Sequence, residues 1–179
     1  GIAVANTEVQ IVDPDLGTRV LPEGEVGGIR ARGPQIMLGY WQRPDETAVT
    51  LRDGWLYTGD VGSLDADGYL TIRDRKKDMV IVSGYNVYPR EVDEVLFMHP
   101  AIVEAATVGT PDPYRGERLC AFVVMRDGAR ATQEEILAHC AANLAPYKIP
   151  SSVTCLDALP KTTVGKTDKR ALREKATRR

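Results

Sequence analysis

The sequence predicts an α+β chain in two parts: a small antiparallel β unit over 1–74 and a compact α+β module over 79–179, joined by a charged hinge at 75–78. Three observations predict it. The first third carries short β-rich runs broken by turn residues. The middle holds six consecutive charged residues, Arg73 to Asp78. Beyond them, helical and strand periods alternate.

In the first part, Val9–Val12, Gly27–Arg32 and Tyr69–Ile72 read as strands, with Pro-Asp, Pro-Glu-Gly and Asp-Ala-Asp-Gly turn signals between them. The chain opens at Gly1, without a methionine, directly into this unit, which leads us to expect a piece of a longer protein. After the charged run, Met79–Val82 reads as a strand. Pro89 starts a helix with Val92, Val95, Leu96 and His99 on related faces, ended by Pro100. Ile102–Gly109 and Leu119–Met125 read as strands around the turn-rich Thr110–Gly116. Thr132 with Glu135 forms a capping box opening a helix through about Leu144. A strand near Val153–Leu156 and a last helix from Lys169 to Lys175 complete the module.

Composition narrows the function classes. A net charge of −2 argues against a dominantly electrostatic nucleic-acid binder, and 43% apolar with 27% charged residues suits an ordinary globular protein. The basic last helix, with Lys169, Arg170, Arg173, Lys175, Arg178 and Arg179, reads as a solvated face rather than a nucleic-acid contact. No apolar run approaches the roughly 20 residues that span a bilayer, and no secretion signal is visible. Cys120, Cys140 and Cys155 read as buried small hydrophobes of a reducing, cytoplasmic compartment. His99 and His139 have no partner at ligand spacing, so no metal site is expected.

The residues that could carry chemistry start with Gly165-Lys166-Thr167, which also ends the phosphate loop of P-loop NTPases. That loop needs a glycine where this chain has Pro160, and only a short tail follows Lys166, so the P-loop reading fails. Asp60, in Tyr57-Thr58-Gly59-Asp60, reads either as a turn aspartate or as a receiver for two ribose hydroxyls, with Arg75 able to donate to sugar or phosphate. Gly84, in Ser83-Gly84-Tyr85-Asn86-Val87-Tyr88-Pro89, reads as a plain turn or as a point of close backbone approach to a ligand.

Four blocks in order carry a resemblance: GPQIMLGYWQRPDETA (Gly33 to Ala48), DGWLYTGD (Asp53 to Asp60), GYLTIRDRKKDMVIVSGYNVYPREVDEVL (Gly68 to Leu96) and LPKTTVGKTDKRALRE (Leu159 to Glu174). Together they resemble the C-terminal part of the adenylate-forming superfamily, and within it bacterial long-chain fatty-acid–CoA ligases. The resemblance implies the tail of a large AMP-binding domain, a hinge and a C-terminal lid domain. It implies a parent that joins a fatty acid to AMP from ATP and then transfers the acyl group to coenzyme A. Lys166 matches the adenylation lysine; Tyr57, Asp60 and Arg75 match nucleotide-binding positions; Lys77 or Asp78 matches the hinge; Ser83, Gly84 and Tyr85 match the loop that lines the coenzyme A tunnel. The family's triphosphate loop, acyl pocket and Mg2+ ligand have no counterpart here, so the chain alone is expected to be inactive and to work against its own N-terminal domain. A non-catalytic coenzyme A- or nucleotide-binding module and another adenylate-forming enzyme, such as an aryl- or short-chain acyl-CoA ligase or a peptide-synthetase adenylation domain, stand as alternatives. Peripheral contact with a membrane is left open.

Overall fold

The computed structural model describes residues 1–14 and 17–177, and the chain separates into two compact units, Gly1–Lys77 and Asp78–Arg179. In the first, β1 (Glu8–Val12), β2 (Gly27–Arg32), β3 (Leu51–Arg52), β4 (Trp55–Leu64) and β5 (Leu70–Arg75) form an antiparallel sheet. Its order is β1-β2-β4-β3, with β5 also on β4. Ile11, Val12, Ile29 and Val61 are buried apolar residues of this unit. Trp55 is buried as well, under the guanidinium groups of Arg30 and Arg32 at 4.5 and 4.6 Å from its ring centre. Each cation faces the negative π-cloud while its aliphatic stem covers apolar surface.

The short helix α1 (Pro44–Thr50) and the strands β3 and β4 were not read from sequence. Helix α1 buries no side chain, so it has no apolar period to detect. In β4, Tyr57-Thr58-Gly59-Asp60 lies inside a strand and not at a chain-reversing turn. Arg30 pairs with Tyr57 and Gly28 with Val61, so β4 carries extra residues there, and Gly59 takes φ +76°. The glycine marks a bulge, which disturbs the ladder as a turn would but keeps the strand running. Strand β5 likewise extends to Arg75, into the charged run that the sequence suggested as linker.

In the second unit, β6 (Val80–Val82) and β7 (Tyr85–Val87) form a tight hairpin followed by α2 (Pro89–Phe97). The long pair β8 (Ile102–Asp112) and β9 (Gly116–Met125), then α3 (Gln133–Asn143), β10 (Ser152–Cys155) and α4 (Lys169–Thr177), complete it. The sheet order is β10-β9-β6-β7 with β8 on the other side of β9, and β10 runs parallel to β9. Alternation along β8 and β9 fills two cores. Ala105, Leu119, Ala121 and Val123 pack with Val92, Leu96, Ile136 and Cys140 of α2 and α3. Ala106, Val108, Cys120 and Phe122 pack with Leu159, Leu172 and Ala176 on the α4 side. The result is a sheet between two helical layers.

Local chemistry explains the element ends. Thr132 Oγ1 accepts from the Glu135 N–H, and Glu135 reaches back to the Thr132 N–H, which completes the expected capping box. The turn expected over Thr110–Gly116 shrinks to Pro113–Arg115, because Asp112 closes it: the backbone N–H groups of Arg115 and Tyr114 donate to its carboxylate and hold that carboxyl below its usual pKa. Pro111 is tolerated within β8 because that strand pairs on one side only. Cys120 and Cys140 are buried as expected, whereas Cys155, at the end of β10, is exposed. No described helix is long and apolar enough to cross a membrane.

Candidate functional site

Asp60 and Arg75 come together through strand register. They are paired Cα partners on β4 and β5, and Arg75 Nε donates to Asp60 Oδ1 at 2.9 Å. The second carboxylate oxygen and the remaining lone pair of Oδ1 keep acceptor capacity. Tyr57, on the same strand, donates its hydroxyl to the Gly17 carbonyl at 2.9 Å and accepts from Arg30 at 3.1 Å, while the Arg52 guanidinium lies 3.7 Å from its ring centre. Its hydroxyl is therefore engaged by protein, and Arg52 covers one face of its ring. Tyr57, Asp60, Asp13, Met37, Tyr40 and Lys76 are among the residues lining a surface cavity of about 610 Å³.

Lys166 sits on the connection between β10 and α4. That loop is closed on itself: Lys161 pairs with Thr167, the Thr162 N–H donates to the Lys166 carbonyl at 2.7 Å, and the Lys166 N–H donates to Thr162 Oγ1 at 3.2 Å. Lys161 also pairs with Glu104 of β8, which ties the base of the loop to the sheet. Asp168 then caps α4 by accepting from the N–H groups of Arg170 and Ala171. The backbone is thus held while the Lys166 side chain is exposed, with no ion-pair partner among the described residues. An unpaired ammonium on a fixed loop can approach an anion without first breaking a protein contact.

Ser83 and Gly84 form the two-residue turn of the β6–β7 hairpin, with φ +51° and +85°. Both positive values are those of the turn whose twist matches a hairpin, and glycine adopts them without strain. A Cβ at Gly84 would meet no atom of this chain within 4 Å, so nothing within the chain crowds that position. Tyr85 stacks on Tyr147 with ring centres 4.4 Å apart and planes 17° from parallel. The Ser83 N–H donates to the Arg115 carbonyl at 2.8 Å, which ties the turn to the β8–β9 hairpin.

At the boundary, Lys76 bonds the Pro14 carbonyl within the first unit, Lys77 is exposed, and Asp78 accepts from Arg173 Nη2 of α4 at 2.6 Å within the second. Arg173, read from sequence as part of a solvated helix face, is instead half-buried and ion-paired, and Tyr147 carried no role in the sequence reading, because their partners lie far along the chain. The same holds for His99 and His139, whose rings meet edge to face at 5.1 Å. No group of three or more His, Cys, Asp or Glu able to hold a metal occurs among the described residues.

Comparison with known proteins bears on this geometry. Residues 91–166 match the AMP-binding enzyme C-terminal domain. The chain is 49% identical over 172 residues to a long-chain-fatty-acid–CoA ligase of Bacillus subtilis, covering 96% of this chain and 30% of that protein. It is 49% identical over 174 residues to the Yersinia pestis ligase of the same description, again covering 30% of it. Among solved structures, ATP-bound MatB from Rhodopseudomonas palustris is 38% identical with a TM-score of 0.92, over 98% of this chain and 35% of that one. The amide bond synthetase McbA from Marinactinospora thermotolerans is 44% identical with a TM-score of 0.92, over 98% of this chain and 35% of that one. The chain thus spans about 30% of the length of these curated relatives. The α+β fold and both sequence likenesses agree: the chain is a homologue of the C-terminal part of the long-chain fatty-acid–CoA ligases, and its residues 91–166 match the AMP-binding enzyme C-terminal domain.

Proposed function

We propose that this chain is the C-terminal part of an ATP-dependent ligase that converts a fatty acid and coenzyme A to acyl-CoA through an acyl-adenylate, with release of AMP and pyrophosphate. The exposed, unpaired Lys166 ammonium on a hydrogen-bonded loop carries the proposal. When a carboxylate attacks the α-phosphate, two anions converge and charge grows on phosphate oxygens. A cation that reaches both lowers that barrier and forms no covalent bond. Asp60, held by Arg75, receives the ribose hydroxyls, and the Tyr57 ring borders the nucleotide.

In this reading the second unit turns about Lys77 or Asp78 between the two steps. Lys166 serves adenylation, and the Ser83-Gly84-Tyr85 hairpin serves thioester formation by lining the path of the pantetheine thiol. Mg2+ and the triphosphate would be held by other parts of the full-length protein, since this chain spans about 30% of the length of its curated relatives. The expected compartment is the reducing cytoplasm, in keeping with three unpaired thiols. The likeness to an amide bond synthetase supports a second reading, in which an amine replaces the thiol as acyl acceptor.

The test is an assay of the full-length protein that carries this chain against a panel of carboxylic acids, with ATP and either coenzyme A or an amine. Acid-dependent pyrophosphate release with acyl-CoA as product supports the proposal, and amide as the only product favours the second reading. The 179-residue chain alone should fold but show no carboxylate-dependent pyrophosphate exchange. Robust exchange from it would sink the assignment of the missing sites to another domain.

A further inference from the structure

The contact between Asp78 and Arg173 carries a further role. Asp78 is the first residue of the second unit, and its neighbours Arg75, Lys76 and Lys77 are all exposed cations. Its carboxylate nevertheless binds a guanidinium 95 residues away in α4, at 2.6 Å. The Asp78 side chain is only 12% exposed and that of Arg173 38% exposed, so the pair is partly shielded from water. Arg173 adjoins Leu172, which together with Ala176 buries the inner face of α4 against β8 and β9. Asp168, whose carboxylate caps α4, lies two residues beyond Lys166.

The two functional loops reach the start of this unit by different routes. The Ser83-Gly84 turn follows Asp78 directly through β6, so backbone alone fixes its place. Lys166 lies nearly a whole unit away in sequence, and one link from it to Asp78 runs through the cap at Asp168, α4 and the Arg173 side chain. We propose that Arg173, by holding Asp78, is a positioning residue for Lys166. It makes the last helix turn as one body with the hinge, so that Lys166 arrives at the α-phosphate in register. This inference rests on the function proposed above.

The bland alternative is an ion pair that adds a little stability and nothing else. The two differ in how the half-reactions respond. In the full-length protein, Arg173→Gln should lower kcat for acid-dependent pyrophosphate release on the order of tenfold, since small misplacements of reacting groups are costly. KM for ATP and thioester formation from pre-made acyl-adenylate should change less than about twofold, because neither uses Lys166. Arg173→Lys should restore most of the loss, and the reversed pair Asp78→Arg with Arg173→Asp should outperform either single reversal. Equal losses in both half-reactions, no loss in either, or no recovery in the lysine and reversed-pair variants would overturn the inference. Lys166→Ala measured in parallel separates the failures. If it leaves pyrophosphate release intact, the proposed function falls. If it abolishes release while Arg173→Gln has no effect, only the Arg173 role falls.

Discussion

Asp60 on β4 and Arg75 on β5 are register partners joined by a 2.9 Å bond from Nε to a carboxylate oxygen, at a point where β4 bulges. The pair is partly exposed, with side chains 26% and 55% accessible, so its share of folding stability is small, about 0–1 kcal/mol. Its effect should instead appear in nucleotide binding. Replacing Asp60 by Ala removes a charged acceptor worth about 1.5–3 kcal/mol to a bound diol, so KM for ATP should rise roughly ten- to hundredfold. Arg75→Ala should raise it less, because the carboxylate remains. Steady-state kinetics with a thermal melt as control would check this, and an unchanged KM in a folded variant would remove the pair from the site.

The Ser83-Gly84 turn makes the opposite prediction for the second half-reaction. Gly84→Trp or Gly84→Leu finds open space within this chain but leaves a side-chain-bearing residue at φ +85°, which costs about 1–2 kcal/mol. If pantetheine passes this turn, such variants should still release pyrophosphate and accumulate acyl-adenylate, yet make little acyl-CoA. Rapid-quench measurement of both products decides it. Parental acyl-CoA formation, or joint loss of both steps in a folded protein, would contradict the role.

The second unit was more legible in the sequence than the first. Proline and the Thr132–Glu135 capping box mark α2 and α3, and apolar runs mark β8 and β9, because these elements bury one face or both and so write a period into the residues. Strand β4 was missed because the glycine of its bulge carries the same signal as a turn, and α1 because it buries nothing. Among the candidate residues, Lys166, Asp60 and Arg75 stood out through resemblance, each within a local block. The Asp78–Arg173 and Tyr85–Tyr147 contacts did not, since only the fold brings those partners near. Cys155 was read as buried from its apolar run, but it ends its strand and faces water.

The cysteines give a check on the fold of the second unit. Burial raises the Cys140 thiol above its ordinary pKa, so the folded state favours the neutral form. A raised thiol value contributes stability that is fully present below the unfolded pKa, about 8.5, and is lost as pH climbs through and above it. Iodoacetamide at neutral pH should label Cys155 rapidly and spare Cys120 and Cys140, and urea midpoints should fall as pH rises above the thiol range. Cys140→Ser should reduce that alkaline loss. Rapid labelling of all three thiols in the native chain would contradict the packing.

Lys166 bears the central claim, and one comparison tests it most directly. In the full-length protein carrying this chain, Lys166→Ala should reduce acid-dependent pyrophosphate release by about two orders of magnitude or more, the scale of losing one preorganised electrostatic group. Thioester formation from supplied acyl-adenylate should continue at close to the parental rate, because the proposed turn of the lid takes this lysine away from the reacting centre. Acylation of the same amine should act in the same direction by removing its charge. Quenched-flow measurement of pyrophosphate and acyl-CoA in one series reads both steps. A variant that releases pyrophosphate as fast as the parent, or that loses the thioester step equally, would contradict the assignment of Lys166 to adenylation.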